Sequence, residues 1–121
     1  MAALRAAIPD EGVLVSELTQ VDYVTRVGYP VYEPPTFITP GYQGTLGYGF
    51  PTALGAKIGA PEPAVVSTTG DGGLGRAMAE LATACRYAVG LVTVVFNDHA
   101  FGNVKRTQQP EFSGHVLGTV W

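Results

Sequence analysis

Two short apolar, largely β-branched runs, each cut off by a polar turn and separated by one helix's length of chain, constrain this sequence more than any other feature. Ala64-Val65-Val66-Ser67-Thr68-Thr69 stops abruptly at Gly70-Asp71-Gly72-Gly73, and a helical pattern begins at Leu74. Leu91 to Phe96 stops in the same way at Asn97-Asp98-His99-Ala100-Phe101-Gly102-Asn103. A strand, a helix and a second strand in that order make a parallel pair with a crossover. The crossover returns the chain in the same direction, so both turns arrive at one edge of the sheet. The expected fold class is therefore α/β, a parallel sheet with flanking helices.

At that edge the residue types are specific. Asp71 and Asp98 lie 98 − 71 = 27 residues apart, each just past the carboxyl end of a strand, where open α/β sheets bind their ligands. Magnesium takes hard oxygen ligands in octahedral geometry, commonly one or two carboxylates completed by phosphate oxygens. Gly70, Gly72 and Gly73 let backbone approach a phosphate closely, and the first N–H groups of the helix from Leu74 favour an anion. The pair of turns thus reads as a cradle for magnesium and a diphosphate. An Asp-Gly turn alone would be weak support, because such turns are common.

The spacing is what makes it strong. Gly70-Asp71-Gly72, then Glu80-Leu81-Ala82-Thr83-Ala84 within the helix, then Val94-Val95-Phe96-Asn97-Asp98, resembles the diphosphate-binding motif of thiamine diphosphate enzymes. Upstream, Gly44-Thr45-Leu46-Gly47-Tyr48-Gly49-Phe50-Pro51-Thr52-Ala53-Leu54-Gly55-Ala56 resembles the segment that precedes this motif in the acetolactate synthase-like branch. The likeness covers about residues 3 to 110. It implies a three-layer, Rossmann-like thiamine diphosphate-binding fold, truncated, with residues 1–121 forming a partial diphosphate- and magnesium-binding domain.

The resemblance also implies roles for individual residues. Metal contacts would come from Asp71, Asp98 and the main-chain carbonyl of Ala100. Gly70, Gly72, Gly73, Phe101 and Gly102 would surround the cofactor, and Gln20 is the match for a residue that approaches the diphosphate. Leu46 would be the apolar wedge under the cofactor's central bend, and the Gly44 carbonyl would reach the aminopyrimidine. One departure stands out: most members carry Asn where this chain has Asp98. The added negative charge should tighten magnesium and weaken an anionic diphosphate unless a cation compensates.

The rest of the chain fits one α/β domain. Residues 2 to 9 read as a short helix stopped at Pro9, Gly12 to Ser16 as a strand, and Glu17 to Tyr23 as the start of a helix at the same sheet edge. Residues 28 to 44 are rich in Pro, Gly and aromatics, so regular structure is not expected there. This apolar connection should lie against something, and the resemblance places it where a pyrimidine-binding domain of a second subunit packs. Pro51 opens a helix over Thr52 to Ala60. The helix from Leu74 puts Leu74, Ala77, Met78, Leu81, Ala82, Cys85 and Ala88 on one stripe, expected to face the sheet with Met78 and Cys85 as packing residues. Three strands are expected, around 12 to 16, 64 to 69 and 91 to 96. His99 is expected to be a loop residue.

Hydrophobic residues make up 46% of the 121 and charged residues 14%, which suits a buried core rather than disorder. A net charge of −3 without a basic cluster argues against nucleic acid or an anionic membrane as partner. One cysteine, Cys85, allows no internal disulfide, and no apolar stretch suits a membrane span or export signal, so the expected location is cytoplasmic.

In the resembled enzymes the glutamate that activates the aminopyrimidine comes from the pyrimidine-binding domain, which has no counterpart here. The expectation is therefore a chain that binds thiamine diphosphate and Mg2+ but is inactive until another domain or chain supplies that glutamate, within a homo- or hetero-oligomer. A truncated or split gene product and a small subunit both fit. The alternatives are a non-catalytic module for magnesium and a diphosphate or nucleotide, or a degenerate gene fragment.

Overall fold

The parity of the first strand sets the architecture. In β1 (Val13–Ser16) every residue is buried, as expected for a strand covered on both faces. Val13 and Val15 point to one side, where they pack with Val65 and with Ala53 of the helix Gly49–Gly59. Leu14 points to the other, where it meets Ile8, Tyr29 and Val66. Helices lie on both faces as a result, giving three layers. The computed structural model describes residues 1–120.

In chain order the elements are α1 (Ala2–Ala7), β1, α2 (Gln20–Gly28), β2 (Phe37–Ile38), α3 (Gly49–Gly59), β3 (Val65–Gly70), α4 (Asp71–Ala77), α5 (Glu80–Arg86), β4 (Val92–Phe96) and α6 (Gly102–Glu111). The sheet is parallel throughout, in the order β2-β1-β3-β4. Ser16 pairs with Thr68, and Gly70 with Phe96. The carboxyl ends of β1, β3 and β4 therefore line up along one edge.

The three expected strands are present, and a fourth joins them. Phe37 and Ile38 pair with Leu14 and Val15 inside the stretch read as irregular. Two residues among prolines carry no readable period. Their support comes from the neighbour, since the Leu14 N–H donates to the Thr36 carbonyl and Phe37 stacks on Tyr29.

The helix after Gly70 also differs from expectation. It begins at Asp71 rather than Leu74 and breaks between Ala77 and Glu80, where Leu81 and Ala82 donate to carbonyls three residues back. Such tightened bonds shift the helical phase of every later residue. Ala77 is buried, but Met78, Leu81, Ala82, Cys85 and Ala88 are exposed, so the anticipated single stripe does not face the sheet. Three glycines in seven residues make α4 an intrinsically weak helix, and β4, the strand such a stripe would cover, is itself an exposed edge. Met78 and Cys85 are surface residues in this structure, not packing residues.

Candidate functional site

A cavity of about 650 Å³ opens at the carboxyl edge of the sheet. Its floor is the Gly70–Gly73 turn, one wall is the 96–104 turn leading into α6, the other wall is the start of α2, and Leu46 reaches it from the loop before α3. The strand ends place the two turns side by side, as the crossover argument requires.

Each wall has a local cause. Thr19 caps α2, its hydroxyl accepting from the N–H groups of Val21 and Asp22 at 3.1 and 3.2 Å. Asp22, fully buried, accepts from Ser16 Oγ at 2.7 Å and pairs with Arg26 Nε at 2.7 Å. That network ties the first turn of α2, with Gln20, to the end of β1. Across the cavity, Phe101 N–H donates to the Thr119 carbonyl at 2.9 Å, and Ala100 bridges Val120, which fixes the turn before α6. His99 adopts φ +54 and donates its N–H to Asn97 Oδ1 at 3.1 Å, an exposed turn residue.

Of the residues singled out in the sequence, Gln20, Leu46, Gly70, Asp71, Gly72, Gly73, Asp98, Ala100, Phe101 and Gly102 all line this cavity. Gly44 does not line it and lies against the side chain of Leu18, which does. Asp71 is half-buried, and its Oδ2 is shielded from solvent without a hydrogen-bond partner. Asp98 is exposed on the facing turn. The lining contains these two carboxylates and neither lysine nor arginine. Arg76 stands outside it, with its guanidinium 5.8 Å from the centre of the Phe101 ring. Among the described residues no three His, Cys, Asp or Glu side chains gather as a metal cluster. Any cation here would therefore need oxygens beyond side-chain carboxylates.

Close approach explains two of the glycines. A Cβ at Gly102 would run into Gln20 Nε2 and Asp98 Oδ2, so those polar groups converge on bare backbone. A Cβ at Gly73 would collide with the carboxylate of Glu17. The sequence reading assigned Gly73 to phosphate approach and passed over Glu17. A signal was present: Val13, Val15 and Glu17 share one parity, which puts an acid on the inward face of a buried strand.

A parallel α/β sheet with a glycine-lined, acidic cavity at its carboxyl edge defines a class of anion- and cofactor-binding domains. The chain belongs to the family described as thiamine pyrophosphate enzyme, C-terminal TPP binding domain, whose model matches residues 19–120. It is 40% identical over 101 residues to the acetolactate synthase large subunit of Haemophilus influenzae, covering 84% of this chain and 18% of that one. It is 36% identical over 119 residues to the sulfoacetaldehyde acetyltransferase of Roseovarius nubinhibens, covering 97% and 20%. In structure it resembles the thiamine diphosphate-dependent 4-hydroxybenzoylformate decarboxylase of Rhodococcus jostii RHA1, with a TM-score of 0.87 at 25% identity over 98% of this chain and 22% of that one. The chain thus spans about a fifth of the length of these relatives. Among the described residues no helix is long and apolar enough to cross a membrane.

Proposed function

We propose that this cavity binds the diphosphate of thiamine diphosphate together with Mg2+, and that residues 1–121 act as the diphosphate-binding part of an acetolactate synthase-like or 2-keto acid decarboxylase-like enzyme. The observation that carries the reading is Asp71 Oδ2, a buried carboxylate oxygen without a protein partner. An unpaired buried anionic oxygen is costly, and a cation is the partner it lacks. Asp98 on the facing turn supplies the second carboxylate. The Ala100 carbonyl is a third oxygen, not engaged by the bond that Phe101 N–H makes to Thr119. Magnesium held this way keeps positions for diphosphate oxygens, which suits a site with two carboxylates.

The same residues fit the remainder of the group. Gly70 and Gly72 leave the floor open to phosphate, and the first turn of α6 from Gly102 offers backbone N–H groups to an anion. Gln20 presents an amide at the rim, and Leu46 supplies an apolar surface. When bound, thiamine diphosphate provides an electron sink for chemistry at the carbonyl of a 2-keto acid. What this chain would contribute is binding and orientation: Asp71 and Asp98 would hold the cation, and Leu46 would offer the cofactor an apolar surface.

No residue lining the cavity is assigned the role of activating the aminopyrimidine. On this reading the chain alone is inactive, and a pyrimidine-binding domain or chain completes the site. Exposed Val31, Tyr32 and Tyr42 in the 28–44 connection are the surface offered to that partner.

Calorimetric titration with thiamine diphosphate, with and without Mg2+, tests the reading. Magnesium-dependent binding that Asp71→Ala abolishes is the expected result, with ADP binding far more weakly. Folded protein that binds neither ligand, or prefers ADP, would overturn it.

A further inference from the structure

Besides Asp22, a second acid is buried outside the cavity. Glu17 is 1% exposed, one residue past β1, and its own N–H still donates to the Thr68 carbonyl at 2.9 Å. Its side chain follows the parity of Val13 and Val15 onto the α3 face of the sheet. There its carboxylate accepts three hydrogen bonds from three different pieces of chain. Oε1 accepts from the Gly47 N–H, and Oε2 accepts from the Gly49 N–H at 3.2 Å and from Thr69 Oγ1 at 2.5 Å.

Two of the donors, Gly47 and Thr69, adjoin residues that line the cavity, Leu46 and Gly70. The Gly47 N–H belongs to the peptide that joins Gly47 to Leu46. The Gly49 N–H is in the first residue of α3, where a negative charge complements the helix dipole. Thr69 sits immediately before the Gly70-Asp71 turn. Gly73 presses its bare Cα onto the same carboxylate. Between Gly44 at φ +56 and Gly47 at φ +79, the loop carrying Leu46 has half-exposed or exposed residues and little packing of its own.

We propose that Glu17 is a positioning residue of the cofactor site: its buried carboxylate clamps the Leu46–Gly47 peptide to the Thr69 end of β3 and so fixes the distance between the apolar wedge and the glycine turn. This rests on the reading of the cavity as a thiamine diphosphate site. The chemistry requires a carboxylate rather than any buried polar group. All three partners are donors, and a carboxylate is acceptor only. A glutamine of the same shape would turn an NH2 group toward at least one N–H and lose that bond.

The test uses the full chain and two readouts on Glu17→Gln. The first is amide hydrogen exchange by NMR without cofactor. Gly47 or Gly49, whichever faces the NH2 group, should exchange about tenfold faster or more, the loss expected for a hydrogen bond to a charged acceptor, while Val66 and Val94 in the sheet keep their protection. The second is titration with thiamine diphosphate and Mg2+, where affinity should fall by about the same factor while Mg2+ alone binds as in the wild type. If Glu17→Gln does not fold, Glu17→Asp keeps the charge, retracts it by one methylene, and should loosen residues 44–49 selectively. Unchanged exchange at Gly47 and Gly49 overturns the proposal, as does loosening spread evenly over the sheet, or a loosened loop with unaltered cofactor affinity. Because the exchange readout involves no ligand, a wild-type chain that fails to bind the cofactor refutes the reading of the cavity, and exchange still decides whether Glu17 holds the loop.

Discussion

Replacing Gly73 by alanine should cost this domain a large part of its stability, although the residue lies in a glycine-rich turn that looks tolerant. An ideal Cβ there would stand within 3 Å of Glu17 Cδ and both of its carboxylate oxygens. An exposed side chain would swing aside. Glu17 cannot, because it is fully buried and its oxygens are fixed by Gly47, Gly49 and Thr69. Overpacking of this kind costs about 1–3 kcal/mol, and displacing the carboxylate from one donor adds about 1.5–3 kcal/mol. The expected loss is therefore about 2.5–6 kcal/mol, against a total of roughly 5–15 kcal/mol for a domain. Gly75, two residues on in α4, is the control. Nothing lies within 4 Å of its would-be Cβ, so Gly75→Ala should stabilise by about 0.5–1 kcal/mol through helix propensity. Urea unfolding monitored by circular dichroism measures both. A Gly73→Ala loss under about 0.5 kcal/mol, the size of an ordinary surface change, would refute the argument that Glu17 is immobile.

Charge and burial lead to two further outcomes. Asp98→Asn removes one of the two carboxylates lining the cavity, so Mg2+ alone should bind more weakly while thiamine diphosphate at saturating Mg2+ binds more tightly, by about tenfold in either direction; calorimetry with each ligand reads both. Burial raises the pKa of the Tyr29 hydroxyl above its ordinary 10.0, with Arg5 opposing and Asp10 adding to the shift. A phenol with a raised folded-state pKa contributes stability that is complete below pH 10 and lost as pH climbs through the folded value, so chemical denaturation from pH 8 to 11 should show a decline above about pH 10 that Tyr29→Phe diminishes.

Much of the site was readable because it is made of local signals. Gly70-Asp71-Gly72-Gly73 and Asn97-Asp98 end apolar runs, and strand, helix and strand in parallel must bring such turns together. The residues that went unread act across the fold. Phe37 and Ile38 form a strand only because β1 offers a free edge, and two residues cannot show a period of two. The helix from Asp71 loses its single stripe because i to i+3 bonds at Met78 and Ala79 change its phase, which no spacing rule anticipates. Leu18, just before α2, and Val21 and Tyr23 within it complete the cavity wall, yet in sequence they look like ordinary amphipathic positions.

Glu17 marks the boundary most clearly. The sequence alone determined the parallel α/β class, the edge at which the two turns meet, and the family, because β-branched runs, glycine turns and motif spacing are properties of neighbouring residues. Only the tertiary structure decided what lies beneath those turns. A carboxylate acquires its function from donors 30, 32 and 52 residues away, and nothing local to Glu17 records which peptides will fold down upon it.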